Sequence, residues 1–376
     1  VSKQLDKLDY CQPFNQGYGG SFELATRIAK KTPEGINRIF YTICGSTAVE
    51  TAIKIAIAYH RAKGDSKRFR FVGRERGYHG MNIGATTVGG MINNVKTFAS
   101  VLMPGVQHMR HTHLPEHKFV KGQPETGVEL AEDLERIAMN FGGENIAACI
   151  IEPIAGSTGT LIPPKGYLKR IREICDKHGI LLIFDEVITG WGRTGSAFAA
   201  QEWKITPDIM TMAKATTNGV VPMGVVAVKE EIYDTVLDAS SAPEGTPELF
   251  HGYTYSGIPV AVAAALAVQD IFDKEDIFKR AKDMSPYFQD GLHSLKDLKE
   301  IVSIRGYGMM GGIEIKMKDK PGKAGFQVFK HCYDAGVNFK NTGDSLIIAP
   351  QFICEKKHID EIIEKLRTGI TNYSKS

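Results

Sequence analysis

The sequence predicts an α/β fold with a mainly parallel central sheet, on the strength of two observations. Short, continuously apolar runs at residues 146–151, 180–184 and 209–213 are typical of strands buried on both faces of a parallel sheet. An amphipathic segment at residues 165–178, followed by Gly179, separates the first two runs. Strand, helix and strand in this order predict a right-handed parallel crossover.

Length and composition exclude several classes of protein. The chain has 376 residues, which is more than one hydrophobic core usually serves. Its 46 Lys+Arg and 43 Asp+Glu leave a net charge of +3, too balanced to indicate a nucleic-acid or membrane partner. The longest apolar run, residues 260–268, is too short to span a bilayer. The 6 cysteines form no C-x-x-C pair, which predicts reduced thiols and a cytoplasmic protein.

The first predicted functional element is a strand at residues 37–44, a break at Gly45-Ser46-Thr47 and a helix at residues 48–63. Thr47 and Glu50 fit a capping box, which places the helix start at Thr47. A helix N-terminus directly after a strand presents backbone N–H groups and a positive dipole to a phosphate. An ordinary capped helix is the commoner use of the same pattern.

A short strand at residues 68–72 leads into Gly77-Tyr78-His79-Gly80. An aromatic side chain in such a turn can lie over a planar cofactor, or it can simply pack at the edge of the core. The next stretch, residues 103–117, contains several histidines without helical or zinc-finger spacing: His108, His111, His113 and His117. We predict a polar loop there and no metal site.

Asp185 and Lys214 each follow one of the buried strands, at residues 180–184 and 209–213. In open α/β sheets the ligand lies beyond the carboxyl ends of the strands, so the two side chains can converge. Pyridoxal phosphate needs this pair, because a lysine forms its Schiff base and an acid keeps its ring nitrogen protonated. The alternatives are a carboxylate that caps a turn and a solvated lysine.

Residues 190–195 (GWGRTG) match the dinucleotide motif G-x-G-x-x-G, but their context does not. They follow Asp185 and Glu186, which would repel a pyrophosphate, and no clear helix begins after them. Lys214 stands where that motif requires an acid, about twenty residues on. We therefore do not predict a nicotinamide site here.

The remainder of the chain predicts a second, smaller domain. A strand at 225–228, a polar loop at 238–248 and an alanine-rich helix at 259–272 lead to paired strands at 301–315, a helix at 326–335, a strand at 345–348 and a helix at 359–368. This alternation suits an α+β domain. We predict an N-terminal segment at residues 1–20, a large cofactor-binding domain at 21–272 and a small C-terminal domain at 273–376.

Six motifs occur in the order found in class III aminotransferases, and the chain resembles that family over essentially its whole length: CGSTAVETAIKIA, RGYHG, IIEPIAGSTG, LLIFDEVITGWGRTG, AKATTNG and HGYTYSG. The resemblance implies the type I fold of pyridoxal-phosphate enzymes. GRERGYHG, PPKGYLKRIREI and ELFHGYTYSG are most similar to β-alanine (ω-amino acid):pyruvate aminotransferases. That implies ping-pong transfer of an amino group from an ω-amino acid or amine to pyruvate or a similar 2-oxo acid.

The resemblance also implies residue roles. Lys214 would form the Schiff base and move the substrate proton, and Asp185 would pair with the pyridine nitrogen. Val187 and Tyr78 would pack on the two ring faces, Glu152 would orient the site, and His79 and Arg193 would support it. Gly45, Ser46 and Thr47 would bind the phosphate. Thr254 would bind the phosphate of the neighbouring subunit's cofactor, which implies a homodimer or a tetramer built from dimers.

Some positions depart from the family pattern. Cys44, Thr47 and Ala215 stand where Ser, Glu and Gly are usual, and Ile188 where many relatives have Gln. Lys340 stands where many relatives have an arginine that grips a substrate carboxylate, and the resemblance implies that Lys340 and Tyr78 contact the substrate. The resemblance further implies a pocket-lining segment before residue 1 that this sequence lacks. β-Alanine is the first expected donor, with taurine or a plain amine as alternatives.

Three other readings remain open from the sequence. A mutase or a decarboxylase of the same fold would share the cofactor residues. A binding protein without activity would not need the amine of Lys214. A nicotinamide dehydrogenase is the remaining alternative.

Overall fold

The computed structural model of the chain describes residues 1–240 and 249–375. The predicted polar loop at residues 238–248 therefore lies mostly outside the described residues. The strands are β1 (Ile36–Thr42), β2 (Arg70–Arg74), β3 (Val106–Met109), β4 (Ile146–Ile151), β5 (Leu181–Asp185), β6 (Ile209–Met212), β7 (Gly224–Lys229), β8 (Ile301–Tyr307), β9 (Met310–Ile315), β10 (Lys340–Thr342) and β11 (Ser345–Ile348).

Helices surround both groups of strands. They are α1 (Ser2–Lys7), α2 (Gly19–Ala29), α3 (Gly45–Ala62), α4 (Ile83–Val88), α5 (Ile92–Thr97), α6 (Glu132–Phe141), α7 (Tyr167–His178), α8 (Ala199–Glu202), α9 (Glu230–Asp238), α10 (Pro259–Lys274), α11 (Ile277–His293), α12 (Lys323–Asp334) and α13 (Lys356–Lys375). Within the described part of the chain, none of them is both long and apolar enough to cross a membrane.

The central sheet is mainly parallel, as the sequence predicts. In the described residues its strand order is β1-β7-β6-β5-β4-β2-β3. The pairs from β6 to β3 are parallel, whereas β7 is antiparallel to both β6 and β1. The crossover from β4 to β5 runs through α7, which ends at His178 and is capped by Gly179 in the left-handed conformation (φ 63°). The predicted helix and its glycine cap are therefore confirmed.

Alternate residues of the central strands serve two different cores. On β4, Cys149 and Ile151 belong to the core that includes residues of α2, α6, α7 and α10. Their neighbours Ala148 and Ile150 belong to the core under α3 and α4. Every residue of β4 is buried. A strand covered on both faces cannot alternate apolar with polar residues, which is why these strands are continuously apolar.

The C-terminal strands form a separate antiparallel sheet in the order β10-β11-β9-β8. Apolar residues between Ala281 and Tyr373 pack into a core of their own, formed with α11, α12 and α13. The boundaries proposed at residues 20 and 272 stay predictions.

Several elements were not predicted from the sequence, and three of them bear on the expectations above. Helix α11 is unpredicted, because Pro286 lies inside it and obscures its helical pattern. Strand β10 is also unpredicted, being only Lys340–Thr342. The stretch at 103–117 is not all loop, because Val106–Met109 forms the edge strand β3 beside β2. A strand with one neighbour and partial burial lacks the apolar run that marks a central strand.

Gly308, in the turn between β8 and β9, packs closely against the backbone of Arg193 in the loop that follows β5. Gly308 has φ 57°, and a Cβ there would lie 2.3 Å from the carbonyl oxygen of Arg193. Gly343 has the same φ of 57°, and a Cβ there would meet no atom within 4 Å among the described residues beyond its chain neighbours. We expect Gly343→Ala to cost the left-handed conformation alone, roughly 1–2 kcal/mol. Gly308→Ala adds an overlap worth roughly 1–3 kcal/mol more.

The measurement is the thermal unfolding midpoint of the two variants and the native protein. Gly308→Ala should lower Tm further than Gly343→Ala does. Equal decreases would show that the turn relaxes away from Arg193 without cost.

Candidate active site

A cavity of about 280 Å³ lies where β5 and β6 end and α3 begins. Among the residues given a role in the site from the sequence, those that line it are Gly45, Ser46, Tyr78, His79, Glu152, Asp185, Val187 and Lys214. The cavity thus brings together residues from five separate segments of the chain, at the carboxyl edge of the parallel strands. That edge is where open α/β sheets bind their ligands.

Lys214 stands at the cavity in an unusual backbone conformation. Strand β6 ends at Met212, and Lys214 opens a 3-10 turn, Lys214–Thr216, with φ 43°. Its side chain lines the cavity and is exposed to solvent there. The protein around the Lys214 amine partly desolvates it and thereby lowers its pKa. The Asp185 and Glu152 carboxylates act in the opposite direction. A lowered pKa increases the fraction of the nucleophilic neutral amine at neutral pH.

Asp185 is the last residue of β5, and its carboxylate is fixed from two sides. His79 Nδ1 lies 2.8 Å from Asp185 Oδ2, and the backbone N–H of Val187 donates to Oδ1 at 3.1 Å. Asp185 is 4% exposed. The Nε2 atom of His79 has no hydrogen-bond partner among the described residues. A buried carboxylate held in this way can receive a protonated nitrogen of a ligand without reorganising.

Glu152 follows β4 and connects two loops beneath the cavity. Its Oε1 accepts a hydrogen bond from the backbone N–H of Tyr78 at 2.9 Å, and its Oε2 accepts one from that of Gly156 at 2.9 Å. Burial raises the pKa of the Glu152 carboxyl, and the nearby His79 opposes this shift. The carboxylate therefore fixes the turn that presents Tyr78 and His79 to the cavity.

The beginning of α3 forms another wall of the cavity. A Cβ at Gly45 would lie 3.2 Å from both γ carbons of Val187, so the glycine lets the helix start approach that side chain. The Ser46 hydroxyl accepts a hydrogen bond from the backbone N–H of Met81 at 3.1 Å. The first N–H groups of a helix have no partner within it and lie at the positive end of its dipole. This wall suits an anionic group.

The structure corrects the prediction for Thr47. Helix α3 begins at Gly45, so Thr47 lies inside its first turn and does not form a capping box with Glu50. The Thr47 hydroxyl instead accepts hydrogen bonds from the backbone N–H groups of Ile43 (3.2 Å) and Cys44 (2.9 Å). Glu50 accepts one from Ala85. Apolar periodicity starts only after Thr47, so it did not reveal the small, polar first turn.

Four predicted residues lie outside the cavity lining: Thr47, Lys340, Thr254 and Arg193. Lys340 is exposed on β10, and its Nζ lies 5.9 Å from the centroid of the Tyr78 ring, within reach of a cation–π contact. Thr254 is exposed, and its carbonyl oxygen accepts a hydrogen bond from Tyr10 Oη at 3.1 Å. Arg193 donates to the carbonyl oxygens of Met309 (2.8 Å) and Pro350 (2.7 Å).

Comparison with known proteins identifies the family. The family Aminotransferase class-III matches residues 1–370. The chain belongs to the class III aminotransferases. It is 50% identical over 369 residues to an omega-aminotransferase of Caulobacter vibrioides, covering 98% of this chain and 83% of that protein. It is 42% identical over 370 residues to an omega-amino acid–pyruvate aminotransferase of Pseudomonas putida, covering 97% and 81%.

Solved structures agree with this assignment. The omega transaminase of Pseudomonas jessenii in complex with PMP superimposes with a TM-score of 0.93 at 29% identity, covering 100% of this chain and 84% of that one. The resemblance, the type I α/β fold and the transaminase class are therefore confirmed for this class III aminotransferase. Members of the family depend on pyridoxal phosphate.

Sequence reasoning missed one wall of the aminotransferase cavity. Thr217, Gly219, Val221, Pro222 and Met223 also line it, after the turn that carries Lys214. Asn218 (φ 50°) and Gly219 (φ 76°) are both left-handed there. An Asn-Gly pair is a strong turn signal, and it could have predicted that the chain folds back toward Lys214.

The weaker motifs of the sequence do not contribute to this cavity. Residues 190–195 are not among those that line it, and a non-helical segment precedes α8. The structure thus offers no helix N-terminus for a pyrophosphate at that motif. Within residues 1–240 and 249–375, no group of three or more His, Cys, Asp and Glu side chains could hold a metal ion.

Proposed function

We propose that this aminotransferase binds pyridoxal 5′-phosphate and moves an amino group from a β-alanine-like ω-amino acid or amine to pyruvate or a similar 2-oxo acid. The observation that carries the proposal is the shared cavity of Lys214, Asp185 and the start of α3. The name of the Pseudomonas putida relative supports the donor and acceptor classes, and that of the Caulobacter vibrioides relative supports transfer of an ω-amino group.

The residues present fit the cofactor at each of its chemical groups. The positive start of α3 with Gly45 and Ser46 suits the phosphate, and the side chains of Val187 and Tyr78 suit the two faces of a flat ring. The buried Asp185, already hydrogen-bonded on both oxygens, suits a protonated ring nitrogen. Lys214 supplies the amine for the carbonyl carbon.

Asp185, Lys214, Glu152 and His79 would each have a separate role in the reaction. Bound pyridoxal phosphate supplies an electron sink for the carbanion that forms when the substrate loses a proton. Asp185 keeps the ring nitrogen protonated and thereby maintains that sink. Lys214 accepts the proton from the substrate carbon and returns it, which the lowered pKa of its amine favours. Glu152 and His79 hold the geometry.

The direct test of the proposal is the covalent attachment of the cofactor at Lys214. We expect the purified chain with added pyridoxal phosphate to absorb in the visible. Borohydride reduction should then fix the cofactor on the peptide that contains Lys214. Lys214→Ala should abolish both trapping and turnover. Lys204→Ala is the matched control, since Lys204 also has a positive φ (55° against 43°) and does not line the cavity. Label found on another lysine would contradict the assignment.

Asp185→Asn tests the partner of the ring nitrogen. The substitution preserves size but removes the negative charge that stabilises a protonated ring. We expect the cofactor to be retained and kcat to fall on the order of a thousandfold, about 4 kcal/mol in the barrier. Cofactor content by absorbance and steady-state rates are the measurements. A variant that turns over at a near-native rate would refute this role.

Lys340 is the proposed contact for the acid group of the donor. Its Nζ lies 5.9 Å from the Tyr78 ring centroid, and Tyr78 lines the cavity. A lysine is a compact charge on a flexible stem, whereas arginine offers a planar fork matched to a carboxylate. Lys340 would therefore accept a carboxylate less selectively than an arginine does, and a sulfonate such as that of taurine is a second candidate.

We expect Lys340→Ala to raise KM for β-alanine and taurine and to leave KM for an uncharged amine unchanged. A hydrogen bond to a charged group is worth about 1.5–3 kcal/mol, which sets the expected size of the increase. Lys356→Ala is the control, because Lys356 Nζ lies 5.0 Å from the Tyr287 ring in an equivalent contact outside the cavity. Equal effects on all three donors would exclude Lys340 from substrate recognition.

We further propose a homodimer with shared sites. Thr254 is exposed and does not line the cavity of its own chain, which is compatible with a role at a neighbouring copy. We expect Thr254→Ala to weaken cofactor retention while sedimentation still shows a dimer. Thr235→Ala, which removes a hydroxyl that donates within α9, should do neither. A fully active monomer at high dilution would disprove the arrangement.

A further inference from the structure

Residues 190–195 (GWGRTG) match a dinucleotide motif, but that match does not explain the contacts they make in the structure. It lies in the segment between β5 and α8, residues 186–198, which we call the Trp191 loop. Trp191 is 1% exposed and has φ 59°. Its ring packs against Phe198, with centroids 4.9 Å apart, and stacks on Phe272 at 5.7 Å. The largest side chain of the loop is therefore held inside the core.

The indole of Trp191 also makes a polar contact that leads to Lys214. Trp191 Nε1 donates to Thr216 Oγ1 at 3.0 Å, and Thr216 Oγ1 donates to the carbonyl oxygen of Ala213 at 3.0 Å. The backbone N–H of Thr216 donates to the same oxygen at 2.9 Å. Ala213 precedes the turn that begins at Lys214, and Thr216 is the last residue of that turn. The indole thus stabilises both ends of that turn through a single hydroxyl.

This turn needs such support because of its backbone. Lys214 has φ 43°, a left-handed conformation that costs a non-glycine residue free energy. A residue of this kind stays in place only when its surroundings hold it there. All the atoms of the Trp191–Thr216 contact are buried, so water does not compete for them.

The Trp191 loop itself is anchored at both of its ends. The buried Glu186 carboxylate accepts hydrogen bonds from Thr189 Oγ1 (2.5 Å) and from the backbone N–H groups of Ala199 (3.0 Å) and Ala200 (2.8 Å). Farther along, Arg193 donates to the carbonyl oxygens of Met309 and Pro350 beside the second sheet. The loop can therefore act as a fixed support for the indole.

We propose that Trp191 is a positioning residue of this aminotransferase: through Thr216 it holds the backbone of Lys214 in the conformation that directs the amine into the cavity. The inference rests on the proposed role of Lys214. Trp191 does not line the cavity and does not touch the reacting atoms. Its effect on rate would come from placement, because small displacements of a reacting group cost large factors in rate.

Conservative substitutions separate this role from simple packing. Trp191→Phe keeps an aromatic ring in the core and removes the indole N–H. Thr216→Val preserves the side-chain shape but removes the hydroxyl, whereas Thr216→Ser retains it. The control is Trp203→Phe, which alters the other of the 2 tryptophans, whose ring packs against Tyr307 at 5.2 Å.

Two measurements test the proposal. The first is the pH dependence of acylation of Lys214 in the full-length chain purified without added cofactor, followed by peptide mass spectrometry. The second is kcat and KM with pyridoxal phosphate bound. In Trp191→Phe and Thr216→Val we expect the labelling midpoint of Lys214 to move upward toward that of an ordinary lysine. We expect kcat to fall about fivefold to tenfold, as for one lost hydrogen bond, with KM changed less than about twofold.

Thr216→Ser and Trp203→Phe should match the native protein in both measurements. A native labelling profile and a native kcat in Trp191→Phe and Thr216→Val would overturn the proposal, and so would equal losses in Thr216→Val and Thr216→Ser. If Trp191→Phe does not fold, the two Thr216 variants decide the question. The labelling experiment requires no cofactor. Failure to trap the cofactor on native Lys214 would therefore refute the proposed function and not the positioning of the amine.

Discussion

The parallel pairing of β5 with β6 is the constraint on which the site depends. Asp185, the last residue of β5, pairs in register with Thr211 of β6, and Lys214 follows three residues later. Because parallel strands end at the same edge of the sheet, the carboxylate and the amine face one cavity. A change of register by one residue would turn the side chain of Asp185 to the opposite face of the sheet. The buried apolar residues of both strands fix that register.

The other cavity residues depend on this arrangement through a chain of short polar contacts. Glu152, at the end of β4, holds the backbone of Tyr78, and His79 in the same turn contacts Asp185. Three adjacent strand ends thus become a single polar unit. Each buried carboxylate in it has hydrogen-bond partners, which offsets the free-energy cost of burying its charge. Groups of the chain itself thus hold the polar side chains of the site in position.

The second sheet approaches the cavity from outside the central sheet. Lys340 reaches the Tyr78 ring from β10, whose position depends on its pairing with β11 and on the packing of β11 against β9. The Trp191 loop contacts both the central sheet and the second sheet. Trp191 bonds to the turn that carries Lys214, and Arg193 donates to Met309 between β8 and β9. Substrate contact and proton transfer would thus rely on elements distant in sequence that meet through the same loop.

The sequence by itself determined the α/β class, the central strands, the family and eight of the residues that line the cavity. These follow from local signals: a strand covered on both faces is continuously apolar, as Ile146–Ile151 shows, and Asp185 and Lys214 directly follow such strands. Only the tertiary structure decided the start of α3, the direction of Lys340, and the contact between Trp191 and Thr216. These depend on pairings between residues far apart in the chain, and a periodic pattern read along one segment contains no information about its partner.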